Sequence, residues 1–379
     1  MQGGDNLNKA IKIRLFPTKE QEILMFKSIG CSRFVYNWAL NRCNELYKQG
    51  IKYNMSNIRK EFTQLKKQEN FKWLNEVSNT AMVESIRNLD VAFKSFFKGK
   101  GCYPKFKSKR KSRQSFYVRY DRLYFKNNNC NIEKIGKVKF KTNYNIPDCK
   151  YSNPYCSYDG KYWYLSFGIE VEENQTTLNK DLSLGIDLGV KDLAICSNKT
   201  KFKNINKTKK VRRIKKRLKR LQRQVSRKYE LNKIGNNFIK TNNIIKLEKQ
   251  IKLLYRKLTN IRTNYTHQIT NQIVKLKPYR IVMEDLNVKG MMKNKHLSKA
   301  IAEQKFYEFI RQMKYKSELN GIKFVQANRY FPSSKRCSCC GSIKKDLKLK
   351  DRDYKCKVCG LVIDRDYNAS LNLANYELV

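Results

Sequence analysis

Four cysteines near the C-terminal end constrain the fold of this chain more than any other feature. They form two Cys-x2-Cys pairs, Cys337 with Cys340 and Cys356 with Cys359, with fifteen residues between the pairs. Two such knuckles bring four thiolates to the corners of a tetrahedron, which suits Zn²⁺. A glycine directly follows the second cysteine of each pair, where a tight turn requires a permissive backbone. Because four protein ligands close the coordination shell, we expect a structural zinc ion.

The remaining cysteines include one alternative metal ligand, and their state depends on the cellular compartment. Cys339 offers an alternative ligand to Cys340, although the x2 spacing favours Cys340. No apolar run approaches the roughly 20 residues that span a bilayer. The segment 1–12 lacks the apolar core of a signal peptide. We therefore expect an intracellular, cytoplasmic protein whose other cysteines are buried thiols rather than disulfides.

The charge balance indicates a polyanionic partner. Lysine and arginine number 82 against 32 acidic residues, which gives a formal charge of +50. A compact fold with this surplus repels itself unless a polyanion neutralises it. Nucleic acid is the obvious partner, because its phosphates attract lysine and arginine and binding releases counterions. Codon bias could explain lysine in place of arginine, but it does not explain the deficit of acids.

Composition also excludes some chemistry. Hydrophobic residues make up 40% of the chain, so it is not a disordered protein. The only histidines are His267 and His296. This excludes a transposase that combines a paired-histidine metal site with a tyrosine nucleophile.

The N-terminal part of the chain alternates strands and helices. Residues 9–16 alternate polar and apolar side chains, as a strand does, and Pro17 ends them. Thr18 and Gln21 form a possible capping box, and apolar residues then recur at helical spacing as far as residue 98. Strands dominate residues 114–171, so the first strand is expected to join them, with the helices inserted between.

Two basic segments are candidates for contact with nucleic acid. Residues 102–120 mix basic and aromatic side chains, which hold phosphates and stack on bases, although an ordinary strand pair with surface lysines is the alternative. Residues 201–262 contain 23 lysines and arginines and two acids. Apolar residues of the same segment recur every three or four positions, which predicts a helical hairpin. The candidate side chains are Lys105, Lys107, Lys109, Arg110, Arg212, Arg213, Lys216, Arg217 and Arg220.

Three acids stand at comparable places in the second half of the chain. Asp187 lies in LGIDLGV, Glu284 in IVMEDL and Asp366 in IDRDYNA, each after a short apolar strand. Acids that end neighbouring buried strands can meet at one rim and hold two Mg²⁺ ions, which prefer oxygen ligands. Alternatively, Asp187 is a turn residue, Glu284 pairs with a lysine, or Asp366 caps the last helix.

The segments GIDLGVKDLAICS, MEDL, SSKRCSCCG and CxxCGLVIDRDYNASLNLA resemble those of TnpB proteins, transposon-encoded relatives of type V CRISPR nucleases. The resemblance covers about 182–376 specifically, and GCYPKFKSK (101–109) resembles a family segment near bound RNA. It implies that Asp187, Glu284 and Asp366 are catalytic magnesium ligands, with Asp364 and Asp285 as competing choices. It also implies that the zinc ligands are Cys337, Cys340, Cys356 and Cys359.

The resemblance further implies a multidomain α+β architecture. We expect a β-barrel "wedge" domain at 1–17 and 99–180, interrupted by a helical recognition domain at 18–98. A RuvC-like, RNase H-like α/β nuclease domain is expected at 181–332 and 363–379. Within it, the basic hairpin would span 201–275 and a zinc ribbon 333–362, and a linker is predicted at 172–180.

The function implied is an RNA-guided DNA endonuclease. A monomer would bind a guide RNA from the transposon end and cut matching double-stranded DNA beside a short flanking motif, on the bacterial nucleoid. The alternatives are a nuclease-inactive, RNA-guided repressor, a zinc-ribbon DNA-binding protein and a transposase. The intact acids argue against the repressor, and the zinc-ribbon binding protein does not explain the acidic strand ends.

Overall fold

The computed structural model describes residues 7–142, 145–172, 176–348 and 351–377. It divides into two compact units, Asn8–Val171 and the residues from Glu172 onward, here called the first and second units. Residues 173–175 of the predicted linker lie outside the described residues. Among the helices that are described, none combines the length and apolar character needed to cross a membrane.

The first unit begins with a strand and continues into helices, as the sequence predicts. These elements are β1 (Leu7–Phe16), α1 (Lys19–Lys48), α2 (Met55–Leu65), a 3-10 helix (Glu69–Glu76) and α3 (Asn79–Phe97). The predicted capping box is present, because the Thr18 hydroxyl accepts from Gln21 N and the Gln21 side chain accepts from Thr18 N. The three α-helices enclose their own apolar core, which includes Val35, Leu40 and Leu89.

The remaining strands of the first unit form one sheet with β1. They are β2 (Gln114–Tyr117), β3 (Phe125–Lys126), β4 (Asn129–Ile132), β5 (Gly136–Lys141), β6 (Ser152–Tyr158) and β7 (Trp163–Val171). The strand order is β2-β6-β7-β1-β5-β4-β3. Alternate residues of β7 from Trp163 to Ile169 are buried in the sheet core, as their period of two predicts. The first strand therefore pairs within a sheet whose other strands follow the helices.

The second unit begins with strands and a long helical hairpin. Its first elements are β8 (Asn179–Leu188), β9 (Asp192–Cys196), β10 (Lys201–Lys203), α4 (Lys209–Leu231), β11 (Lys233–Ile234), β12 (Asn237–Phe238) and α5 (Asn242–Lys275). The predicted apolar stripes form the seam between α4 and α5, with Val211, Leu218 and Leu258 buried. The sequence places the start of the hairpin at residue 201, but residues 201–203 instead pair with β9.

The second unit continues with β13 (Pro278–Glu284), α6 (Val288–Met291), α7 (Ser298–Gln304), α8 (Phe306–Glu318), β14 (Lys323–Ala327), β15 (Asp353–Lys355), β16 (Val362–Asp364) and α9 (Arg365–Ala374). Its main sheet has the order β10-β9-β8-β13-β14. Strand β13 is parallel to both β8 and β14, and β9 is antiparallel to β8. This mixed α/β arrangement fits the RuvC-like fold that the resemblance implies.

The amphipathic pattern of residues 298–320 predicts a single helix, but the structure has two helices there, so this prediction is wrong. Lys305 adopts a left-handed conformation, with φ of 56°, and separates α7 from α8. Tertiary contacts on either side explain the break. The Lys305 ammonium donates to Thr263 Oγ1 at 2.6 Å, and the Gln304 amide donates to Gly189 O at 3.1 Å. Helical periodicity could not reveal these partners, because both are distant in the sequence.

Candidate active site and metal centre

Two of the three predicted acids stand side by side at one edge of the main sheet. In the parallel pair, Ile186 of β8 is the register partner of Met283 of β13. Asp187 and Glu284 each follow by one residue, so they lie at the same level near the carboxyl ends of their strands. Both side chains are half-buried. The carboxyl ends of β8 and β13 therefore supply two adjacent carboxylates.

The third acid, Asp366, lies in the first turn of α9, which packs directly on β8. Gly185 permits this close packing, because a Cβ there would lie 2.0 Å from Ser370 O and 2.3 Å from Ala374 N. Alternate residues of a strand share one face, so Asp187 projects on the same face as Gly185, toward α9. The contact brings the N-terminal end of α9 to the edge that carries the other two acids.

The expectation that Asp366 follows a strand of the shared sheet is wrong. The strand before it, β16, pairs with β15 in a separate two-stranded sheet, where Asp353 is the register partner of Asp364. Asp366 reaches the edge on a helix instead. The sequence shows only that an apolar segment precedes the acid, and it does not show which strand that segment pairs with.

Electrostatics tie the three acids together. Burial raises the pKa of Asp187 well above its ordinary value, and the negative charges of Glu284 and Asp366 raise it further. Like charges raise a carboxyl pKa only at short range. A bound cation would relieve this repulsion, so the cluster has the character of a cation site.

The competing acids have other partners. The Asp364 carboxylate is the N-cap of α9 and accepts from the backbone N–H groups of Asp366 and Tyr367, at 3.1 and 2.9 Å. Asp285 forms an ion pair with Arg329 at 2.6 Å. The sequence allows Asp366 as the cap of α9, but the structure gives that role to Asp364.

Two side chains that the sequence did not single out contact the acids. The Ser333 hydroxyl, which is buried, donates to Glu284 Oε1. The Arg365 guanidinium donates twice to Asp366 Oδ1, at 2.9 and 3.0 Å. The only sequence signal for Ser333 is its position four residues before the first cysteine pair. Arg365 lies between two aspartates in DRD, which shows that charges are close but not which pair forms.

The predicted cysteine ligands converge as the spacing requires. The sulfur atoms of Cys337, Cys340, Cys356 and Cys359 all lie within 4.8 Å of one another. The Cys337–Cys359 and Cys340–Cys356 sulfur separations are both 3.6 Å. Zinc–sulfur bonds of about 2.3 Å place tetrahedral sulfurs about 3.8 Å apart, so the cluster has the size of a zinc site. Cys339 is exposed and is not part of this cluster.

The surroundings of Cys356 favour its thiolate form. Backbone hydrogen bonding from Cys359 and a contact with the Ser342 hydroxyl lower the pKa of Cys356 to about 5. A thiolate, rather than a thiol, is the form that binds a metal. Cys356 is therefore disposed to act as a metal ligand at neutral pH.

Two buried asparagines of α9 connect the cysteine cluster with the carboxylate edge. Asn368 donates to Arg336 O at 2.7 Å and accepts from Ser338 N at 3.0 Å. Asn372 donates to Ser333 O and Arg336 O, both at 2.7 Å. These bonds fix the backbone on both sides of Cys337 to the helix that carries Asp366.

The basic candidates lie in two separate places. Lys105, Lys109 and Arg110 are exposed on the loop before β2, where Lys107 is half-buried. The candidates on α4 are all exposed: Arg212, Arg213, Lys216, Arg217 and Arg220. Arg213, Lys216, Arg217 and Arg220 line one shallow basic cavity together with Lys219 and Arg223. No contact with nucleic acid tests these candidates, so they stay predictions.

Family models match three parts of the chain. The model described as "Probable transposase" matches residues 166–295, which include Asp187 and Glu284. The Cas12f1-like TNB domain matches 306–373, which include the cysteine cluster and Asp366. A helix-turn-helix domain matches 2–52, where the described residues form β1 and the long helix α1.

Named relatives and a solved structure extend over nearly the whole chain. A Streptomyces pristinaespiralis protein named as an RNA-guided DNA endonuclease is 30% identical over 97% of this chain and 89% of its own length. The InsQ protein of Escherichia coli K12, also named as an RNA-guided DNA endonuclease, is 29% identical over 96% of this chain and 91% of its own. A Cas12f1–sgRNA–target DNA complex has a chain that matches with a TM-score of 0.58 at 14% identity, covering 98% of this chain and 99% of that one. The last match shows a shared fold.

Proposed function

The chain belongs to the TnpB family of RNA-guided DNA endonucleases, and from this premise we propose that it cuts DNA with an active site formed by Asp187, Glu284 and Asp366. The observation that carries the proposal is the meeting of these three carboxylates at one edge of the main sheet. Strand register aligns Asp187 with Glu284, and the contact of α9 with Gly185 brings Asp366 to them.

The donor set fits hard divalent cations. All three groups are carboxylates, Asp187 is repelled by the other two, and Mg²⁺ prefers oxygen ligands. When bound, two Mg²⁺ ions supply Lewis acidity that activates water and stabilises the leaving oxygen of a phosphodiester. The protein's own part is to hold the carboxylates in place. Ser333 orients Glu284, and Arg365 orients Asp366.

The cysteine cluster is proposed to hold a structural zinc ion. Four sulfur ligands at tetrahedral spacing leave no open position for a substrate. The ion would hold the segment around Cys337 in the conformation to which Asn368 and Asn372 hydrogen-bond. The metal would in this way support the nuclease edge without taking part in the reaction.

The partners follow from the family. We propose that a guide RNA from the transposon end directs one protein chain to matching DNA beside a short flanking motif. In this assignment the seven-stranded sheet forms the wedge domain, α1 to α3 form the recognition domain, and residues 333–362 form the zinc ribbon. The charge of +50 supports a polyanionic partner such as RNA together with DNA.

The experiment begins with the RNA that co-purifies with the full chain from its own locus. Sequencing gives the guide portion, and the matching DNA is then incubated with the complex and Mg²⁺. We expect cleavage by the wild type and a loss of about a thousandfold or more in Asp187→Ala, Glu284→Ala and Asp366→Ala. Each of these variants removes several kcal/mol of charge stabilisation, and each 1.36 kcal/mol is tenfold in rate.

Asp181→Ala is the matched control, because Asp181 is exposed on the same strand as Asp187. All four variants should bind the RNA as the wild type does. Binding of matched DNA without cleavage by the wild type would refute the nuclease and favour a repressor. Loss of RNA binding in the three site variants would show that the acids are structural.

A further inference from the structure

A cavity of about 490 Å³ lies within the first unit, apart from the carboxylate edge and the cysteine cluster. Helices α1 and α3, strands β2 and β6, and the basic loop before β2 enclose it. Ligand cavities typically measure about 300–1,000 Å³. The space therefore suits a group the size of one nucleotide and is too small for a duplex.

The charge of the cavity favours an anion. Arg33, Lys107 and Arg113 line it, and no acidic side chain is among its described lining residues, although Glu84 of α3 contacts the Tyr155 hydroxyl beside it. The Lys107 ammonium sits 3.5 Å from the centre of the Tyr36 ring, and burial lowers its pKa to about 8. A partly desolvated cation gains more from a phosphate than an exposed lysine does, because the local dielectric is lower.

Aromatic rings and an amide line the same space. Tyr117 and Tyr155 meet edge to face, with ring centres 5.3 Å apart. The Asn88 amide donates to the Tyr155 hydroxyl at 3.0 Å. Aromatic faces stack on bases of any sequence, and amides hydrogen-bond to base edges. The cavity combines the two chemistries that a nucleotide requires.

The cavity is built before any ligand arrives. The Asn37 side chain donates to Lys107 O at 2.9 Å and accepts from Lys107 N at 2.7 Å. Gln114 donates to Lys109 O and Ser112 O, at 3.0 and 2.8 Å. These bonds fix the basic loop against α1 and β2, so little ordering entropy is lost when a ligand binds.

We propose that this cavity binds a single unpaired nucleotide of the guide RNA, its base against Tyr117 and Tyr155 and its phosphate beside Lys107 and Arg33. The proposal rests on the proposed function, because the guide RNA is the single strand that the protein carries. It assigns a specific site, rather than a general basic surface, to the contact between the first unit and RNA.

The first test measures RNA affinity in the full chain, with a transcript of the co-purifying RNA as the probe. We expect Tyr117→Ser to weaken binding roughly 5- to 100-fold, the range for loss of a base-stacking ring, while Tyr117→Phe binds as the wild type does. Tyr120→Ser is the matched control, because Tyr120 is exposed nearby and does not line the cavity. Lys107→Gln should likewise weaken binding more than Lys111→Gln, which removes an equal charge from the same loop.

The second test locates the contact by ultraviolet cross-linking of the wild-type protein–RNA complex and mass spectrometry of the peptides. We expect a ribonucleotide adduct on Tyr117 or Tyr155. Equal affinity of Tyr117→Ser and Tyr120→Ser, with adducts elsewhere, would overturn the proposal while leaving guided cleavage intact. A deoxynucleotide adduct that forms only with target DNA would also overturn it and reassign the cavity to DNA. Failure of the wild type to bind RNA would refute the proposed function itself.

Discussion

Asp364 and Asp366 are two residues apart, yet their carboxylates have different surroundings. Asp364 caps α9 through two backbone N–H groups, while Asp366 pairs with Arg365. The negative charges of both raise the pKa of Asp187, and Asp366 has the larger effect. A cap stabilises the fold, whereas clustered carboxylates weaken it unless a cation is present. The two residues therefore affect different measurable properties.

Asp364→Ala is expected to cost about 1 kcal/mol of unfolding free energy through loss of the cap and to keep most of the cleavage activity. Asp366→Ala should remove cleavage and leave the unfolding free energy in Mg²⁺-free buffer unchanged or higher. Denaturant unfolding and cleavage rates of both variants test this, and Asp364→Ser, which keeps a capping oxygen, is the control. The reverse ranking for cleavage would move the catalytic assignment to Asp364.

Lys316 is a buried cation between α5 and α8. Its ammonium donates to Thr270 Oγ1 at 2.6 Å and His267 O at 3.1 Å, and burial lowers its pKa to about 8. The unfolded chain holds this proton up to about pH 10.4, so between pH 8 and that value the unfolded state binds more protons. The contribution of Lys316 to stability therefore rises as the pH rises through this window.

Lys316→Met removes the cost of burying this charge. We expect the variant to be more stable than the wild type at pH 7 by about 3 kcal/mol at most, with the difference shrinking toward pH 10.5. Unfolding free energies at several pH values measure the difference, and Lys314→Met, on the same helix but not buried, is the control. A difference that does not change with pH would show that Lys316 stays charged in both states.

At the scale of elements, α9 connects the carboxylate edge with the cysteine cluster. One face packs on β8 at Gly185, its first turn carries Asp366, and Asn368 and Asn372 hold the backbone around Cys337. A shift of this helix moves a carboxylate and a cysteine loop together.

Gly185→Ala is expected to displace α9, because the new methyl group would clash with backbone atoms that cannot rotate away. Overpacking of this kind costs about 1–3 kcal/mol, and a shift of about 1 Å at a reacting group costs about a hundredfold in rate. Thermal unfolding and cleavage rates measure the two effects. Gly30→Ala, in a helix with open space around it, should lose neither stability nor activity.

Asn372→Ala is expected to weaken zinc binding by about 10- to 100-fold, as loss of a supporting contact does. It also leaves the carbonyls of Ser333 and Arg336 without this donor. Because the Ser333 backbone is then less fixed, its hydroxyl should no longer orient Glu284, and cleavage should fall. Competition with a chromophoric chelator measures the affinity. Asn375→Ala, an exposed position just after the same helix, is the control, and unchanged affinity in Asn372→Ala would separate the two sites.

At the scale of the whole molecule, the charge of +50 destabilises the compact state through self-repulsion, which a bound polyanion would relieve. The exposed basic face of α4 concentrates part of this charge, since six of its basic side chains line one cavity. Salt screens such contacts in proportion to the number of phosphates neutralised.

The combined variant Arg213→Gln, Lys216→Gln, Arg217→Gln and Arg220→Gln is expected to reduce the salt dependence of RNA binding. Each lost contact with a single strand removes about 0.7 from the slope of log K against log salt, so four remove about 3. Dissociation constants at several salt concentrations give the slope. An unchanged slope, with an unchanged melting temperature, would show that this face does not contact the RNA.

Local patterns in the sequence determined much of the fold. The spacing of the four cysteines, the Thr18–Gln21 capping box, the alternation in β7 and the apolar stripes of the hairpin all depend on residues within a few turns or one strand. Such features follow from backbone geometry and ligand geometry, which are nearly independent of the rest of the chain.

Tertiary structure alone decided how the acids meet and what surrounds them. The separate pairing of β16, the break at Lys305, the contact of Ser333 with Glu284 and the cavity in the first unit all depend on residues far apart in the sequence. A carboxylate beside an apolar segment looks the same in the sequence whether it ends a strand or opens a helix. The choice is made by packing, because only the folded chain fixes which distant groups lie within hydrogen-bond and van der Waals distance.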